Sequence, residues 1–180
     1  MVFRRRFSAK LESLPDVRDF VLVAASRTGF PDARQMVLEL VLEELFVNIV
    51  SYAFVCPVRG PAAGAAGHAM PVIAPVEYTP EDAHLDVLCG AGKDAPEMHG
   101  PLGHAITDSG HKPEELFCVV LEDEGIAFDP LAADTPSHLD HDVERRQCGG
   151  LGIHFAKERS AAMAYERIRS ANRLGFCIHH

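Results

Sequence analysis

No basic stripe runs through any predicted helix of this chain, whose formal net charge is -9. Nucleic-acid phosphates need clustered Lys and Arg, so direct nucleic-acid binding is not expected. No apolar run approaches the roughly 18 to 20 residues that cross a bilayer, so no membrane contact is expected either. The opening MVFRRRFSAK has basic residues but lacks an apolar segment behind them, so it does not read as a signal peptide. A cytoplasmic location is the expectation. The CxxC spacing is also missing. Cys56, Cys89, Cys118, Cys148 and Cys177 are scattered and are expected to be reduced thiols, mostly buried. His138 and His141 are spaced HxxH, and His179 and His180 close the sequence. Neither pair has a Cys or carboxylate set at ligand spacing, so zinc is not expected.

What is present suffices for one ordinary domain: 180 residues, 47% hydrophobic and 24% charged, enough to bury a proper core. The organising stretch is Met36 to Phe54, MVLELVLEELFVNIVSYAF. Leu38, Val41, Leu42, Leu45 and Ile49 recur on one face of an α-helix. Glu44 and Asn48 project from the margin of that stripe one turn apart, so their side chains can converge on one small object. Glu39 and Glu43 point towards water. The bland alternative is an amphipathic helix with ordinary polar flanks.

Before this helix, Phe3 to Leu11 alternates with a period of two, predicting a strand near a sheet edge. Ser13 and Pro15 mark a helix start, with Val17, Phe20, Val21 and Ala24 as its buried stripe and Gly29 as its stop. Pro31-Asp32 starts the central helix, which must end before Pro57. From Cys56 to about Pro113 the chain becomes Pro, Gly and Ala rich and loop-like, with strand-like pieces at Val72 to Tyr78 and His84 to Cys89. GAGK within it lacks the GxxxxGK[ST] spacing of a phosphate loop. Glu115 to Leu121 predicts a central strand that leads into Asp123, Gly125 and Ala127. Leu131 to Cys148 is polar with no apolar period. Gly149-Gly150-Leu151-Gly152 then opens a helix, and Met163 to Ile168 and Asn172 to Ile178 predict an antiparallel hairpin. This order predicts an α+β fold: a two-layer α/β sandwich with helices on one face of a mixed sheet.

Three signals therefore stand in order: ExxxN on a helix, DxGxA after a strand, and GGLG opening a helix. Their order and settings resemble the histidine-kinase-like (GHKL) ATP-binding domain of Bergerat type, shared by gyrase, heat-shock chaperones, histidine kinases and mismatch-repair ATPases. Within it, LPDVRDFV, ELVLEELFVNIVSYAF, GIAFDP, ERRQCGGLGIHFAKE and YERI…NRL look most like the anti-sigma-factor serine/threonine kinases of bacterial partner-switching pathways. The resemblance covers about residues 1–56 and 114–178. It leaves a single domain over 1–180 with an insertion at about 57–113.

The resemblance implies ATP and Mg²⁺ as cofactors and assigns the residues. Glu44 is the general base and Asn48 the Mg²⁺ ligand. Asp123 accepts a hydrogen bond from the adenine amino group, with Gly125 and Ala127 beside it. Gly149, Gly150, Leu151 and Gly152 meet the phosphates where a mobile lid, Leu131 to Cys148, joins a helix N-terminus. Arg145 or Arg146 reaches the phosphates, or else is a solvated lid charge. The implied partners are a sigma factor and a small anti-sigma-factor antagonist, and such relatives are commonly homodimers. A non-catalytic ATP-binding switch of the same fold is the alternative. Three positions depart from the family pattern: Ser51-Tyr52-Ala53 replaces a His-containing pair, Ala161 an Asp, and Ala127 a glycine. None removes a group assigned to chemistry.

Overall fold

The computed structural model describes residues 1–54, 82–91, 100–132 and 150–180. Its elements follow in order as β1 (Val2–Ser8), α1 (Leu14–Arg27), α2 (Asp32–Tyr52), β2 (His84–Ala91), α3 (Pro101–Asp108), β3 (Leu116–Asp123), α4 (Gly150–Arg159), β4 (Ala162–Ile168) and β5 (Ala171–His179). The strands form one sheet in the order β1-β2-β3-β5-β4. The α+β sandwich expected from the sequence is the fold observed. Two details differ. Every strand pairing among the described residues is antiparallel, where a mixed sheet was expected. Helices also cover both faces rather than one.

The larger core lies on the face covered by α1, α2 and α4. Phe7, Val87, Phe117, Val119 and Phe176 from the strands meet Val17 and Val21 of α1, with Leu38, Leu42 and Phe46 of α2. Helix α2 lies between α1 and α4 and packs on both, which explains why Phe46, outside the predicted stripe, is completely buried. Glu43 is exposed as expected, and Glu39 is half-buried. Each fully buried Leu or Phe stabilises the fold by roughly 1.5–3 kcal/mol relative to exposure.

The other face is covered by α3, in a stretch predicted to be loop. Leu102 and Ile106 sit one turn apart on this short helix and bury against Leu116, Cys118, Val120 and Cys177. An eight-residue helix is marginal alone, so this packing rather than local propensity holds it. Gly175 of β5 makes room for it: a Cβ there would lie 2.8 Å from Leu102 Cδ2. Covering on both faces explains the continuous apolar run of β3, whose first six residues are all buried.

Strand β2 also lies within the 57–113 stretch set apart as an insertion. It pairs with β1 on one side and β3 on the other, so residues 84–91 are part of the sheet. Residues 55–81 and 92–99, including the strand-like piece at Val72 to Tyr78, lie outside the described residues. Edge strand β1 is anchored by charge. Asp86 accepts from Arg6 Nη2 at 2.7 Å and Arg4 Nη2 at 3.1 Å, and the hydrogen bond from Arg6 holds its carboxyl below the usual range. The hairpin β4–β5 closes through Arg169-Ser170, with Arg169 at φ 56°, a left-handed position that two-residue turns demand.

The expectation of reduced thiols is corrected at one pair. Cys118 and Cys177 stand directly opposite on β3 and β5 and form a disulfide, with their Cα atoms 4.0 Å apart. A sequence separation of 59 concealed what the strand register brings together. Cys89 is a free, buried thiol whose pKa is pushed up to about 12 by desolvation. Cys56 and Cys148 lie outside the described residues. Closing a loop of this length stabilises by about 4 kcal/mol in the chain-entropy estimate, and engineered cases deliver less. Replacing both cysteines by Ala should therefore lower the unfolding free energy by about 2–4 kcal/mol in oxidising buffer and far less with reductant present. Paired denaturant titrations measure the difference, and a thiol count on unreduced, unfolded protein checks the bond itself.

Candidate functional site

A solvent-open cleft lies between the C-terminal half of α2, the loop after β3, the first turns of α4 and the β4–β5 hairpin. Leu45, Ile49, Ile153 and Leu174 give it apolar walls, while Asn48, Asp123, Tyr165 and Asn172 supply polar groups. Tyr52, Ile126 and Phe128 line it while leaving 44–49% of their surface exposed, an apolar rim at its mouth.

Helix periodicity places Glu44 and Asn48 on one margin of α2, as predicted. Asn48 Nδ2 donates to the Glu44 carbonyl at 2.8 Å, which commits the amide nitrogen and leaves Oδ1 as the atom for a ligand. Glu44 does not line the cleft. Its carboxylate rests on α4 at Gly152, where a Cβ would lie 2.0 Å from Glu44 Oε2 and 2.9 Å from its Cδ. Gly152 is thus the reason the carboxylate can lie on the first turns of α4.

Strand β3 ends at Asp123, which is 4% exposed. Its Oδ1 accepts from the Gly125 N–H at 2.8 Å and from Asn172 Nδ2 at 2.9 Å. Burial pushes the Asp123 carboxyl up, while Asn172, the Gly125 N–H and the Arg167 charge pull it down. The chain then turns beneath α2. The Ile126 N–H donates to the Ala53 carbonyl at 2.7 Å. A Cβ on Gly125 would stand 2.3 Å from that same oxygen and 2.6 Å from Ala53 Cβ. Gly125 therefore serves a close approach to α2. Ala127 follows as an exposed residue.

Gly150 and Leu151 open α4 as predicted. Arg145, Arg146, Gly149 and lid residues 133–148 lie outside the described residues. Of the stretch expected to be a lid, Leu131 is held by Lys157 Nζ, which donates to its carbonyl at 3.0 Å. Sequence reasoning missed Asn172, Tyr165 and Arg167. Asn172 stands next to the expected hairpin turn, where Asn needs no special reason. Its rarity in strand interiors was the available signal.

The group set suits a nucleotide. Apolar walls fit the faces of a base, Asp123 at the cleft end offers an acceptor, and the Asn48 oxygen suits a hard divalent cation. The family model of the histidine kinase-like ATPase domain matches residues 7–177.

The chain belongs to the histidine kinase-like ATPase domain family.

That match runs through β2 and α3 as well as the motif-bearing elements. Domains of this family bind ATP. Among curated proteins, none matches the chain. No described helix is long and apolar enough to cross a membrane.

The two glycine contacts differ in what must yield. Gly125→Ala meets backbone of Ala53, which cannot swing away, and should destabilise the domain by about 1–3 kcal/mol. Gly152→Ala meets the end of a flexible side chain, so it should keep its thermal stability while displacing the Glu44 carboxylate. Thermal unfolding of the two variants side by side checks this contrast.

Proposed function

We propose that the chain is an ATP-dependent serine/threonine protein kinase that binds a sigma factor and phosphorylates a small anti-sigma-factor antagonist. The observation that carries the catalytic part is the pairing on α2. A carboxylate at Glu44 and a metal-competent amide oxygen at Asn48 lie one turn apart, with Gly152 leaving room for the carboxylate against α4. The partners rest on the resemblance of the motif-bearing segments to the anti-sigma-factor kinases.

In this reading the adenine end lies at Asp123 and the phosphates lie towards the start of α4, whose free N–H groups suit phosphate oxygens. Glu44 accepts the proton of the attacking serine or threonine hydroxyl as its oxygen bonds to the terminal phosphorus and ADP leaves. General-base help of this kind is worth roughly 10²–10⁴-fold. Asn48 Oδ1 would hold in part a Mg²⁺ ion, which would supply charge neutralisation at the phosphates. One amide oxygen suffices because Mg²⁺ keeps most of its ligands as water and phosphate.

Glu44→Ala should retain Mg-ATP binding and lose phosphoryl transfer by roughly 10²–10⁴-fold, because a base acts mainly in the transition state. Asn48→Ala should instead weaken the Mg²⁺-dependent part of nucleotide affinity. Calorimetry and phosphate transfer to an antagonist co-purified from the native cell separate these effects. Transfer at the parental rate by Glu44→Ala removes the kinase role from Glu44. ATP binding by the parent with no transfer to any bound protein favours the non-catalytic switch.

Asp123→Ala should weaken ATP binding by roughly 10- to 150-fold, from the 1.5–3 kcal/mol of a hydrogen bond to a charged group. Thermal unfolding measured alongside separates lost recognition from lost folding. Unchanged affinity would reduce Asp123 to a turn-forming residue.

A further inference from the structure

Asn172 is 5% exposed, yet its side chain is fully engaged. Its Oδ1 accepts from the Tyr165 hydroxyl at 2.8 Å and from Arg167 Nη1 at 2.6 Å. Its Nδ2 donates to Asp123 Oδ1 and to the Ile126 carbonyl, each at 2.9 Å. Two donors on the oxygen side decide which way the amide faces, because an amide nitrogen there would set donor against donor. The nitrogen must therefore face Asp123. Arg167 also donates to the Gly125 carbonyl at 2.9 Å, tying the same guanidinium to the loop that carries the other Asp123 donor.

Among the described residues, both hydrogen bonds to Asp123 fall on Oδ1. That leaves Oδ2 as the oxygen Asp123 offers to the cleft it lines. We propose that Asn172 is a positioning residue through which the cleft selects a 6-amino purine over a 6-keto purine, by holding Asp123 as an acceptor facing the ligand. An ionised Asp123 accepts from an amino group, whereas a keto oxygen would set acceptor against acceptor. Without Asn172 the carboxylate loses a donor and its orientation. Burial then favours the protonated form, which can donate to a keto oxygen. Tyr165 and Arg167 act one step further out by fixing the amide. The inference rests on the ATP reading of this cleft and adds the residues that make it discriminate.

The experiment compares three probes by calorimetry: ATP, purine riboside triphosphate (hydrogen in place of the amino group) and inosine triphosphate (keto). Parent protein should bind ATP at least about 10-fold more tightly than either of the others, from the worth of a charge-assisted hydrogen bond. In Asn172→Ala the ATP preference over purine riboside triphosphate should collapse by about 10-fold, with affinity for the latter changing less than about twofold. Inosine triphosphate should gain on ATP. A merely structural role would weaken all three probes together and leave the ratios unmoved. Tyr165→Phe removes one hydroxyl and no core volume, and should lower the ATP preference by about threefold, the worth of one neutral hydrogen bond. It decides the matter should Asn172→Ala not fold.

A parent that binds ATP no better than purine riboside triphosphate overturns the adenine reading of Asp123, and this inference with it. A parent with the preference, retained in a folded Asn172→Ala or, failing that variant, in Tyr165→Phe, overturns the role of Asn172 alone.

Discussion

Helix α2 approaches its neighbours more closely than a Cβ would allow, and the site depends on that approach. At its C-terminal end, Ala53 meets Gly125, and the Ile126 N–H closes onto the Ala53 carbonyl. One face further along, the Glu44 carboxylate lies on α4 at Gly152. The helix therefore has its height set by two small-residue contacts from separate parts of the chain. It carries Glu44, Asn48 and one wall of the cleft, so a shift of about a methyl diameter would move all three together. The buried stripe from Leu38 to Ile49 fixes its rotation about its own axis. Rotation and height together specify where the functional groups stand.

The polar end of the cleft obeys a different constraint. Buried polar groups are costly unless paired, by roughly 1–3 kcal/mol each. Asn172 meets this cost through four hydrogen bonds, and Asp123 through two on a single oxygen. The members of such a network support one another, because removing one leaves others short of a partner in low dielectric. It joins the end of β3, the loop under α2 and the β4–β5 hairpin. The position of Asp123 is thereby tied to those of three elements.

The second face of the sheet gives the domain a further character. With α3 seated over Gly175 and the Cys118–Cys177 bond, β3 and β5 are buried on both sides. Towards the other end of that face, Asp86, Glu122, Arg173 and Glu166 stand in register across four strands, and Arg173 pairs with Glu122 at 3.0 Å and Glu166 at 3.3 Å. Cross-strand charge pairs of this kind favour one register, since a one-residue slip would turn them into the apolar face.

The amino-acid sequence alone determined the helices α1 and α2, the central place of β3 and the β4–β5 hairpin, while family resemblance singled out Glu44, Asn48, Asp123, Gly125 and Gly152. The elements are set by local periodicity and by turn chemistry, which act within a few turns or strands. Tertiary structure alone decided the rest. Helix α3 exists because the sheet buries Leu102 and Ile106, which no local propensity announces. Cys118 and Cys177 meet because β5 pairs with β3, across a separation of 59 residues. Asn172 reaches Asp123 by the same pairing, in which the two residues are direct register partners. A side chain whose partner arrives through strand pairing leaves no spacing in the sequence by which to find it.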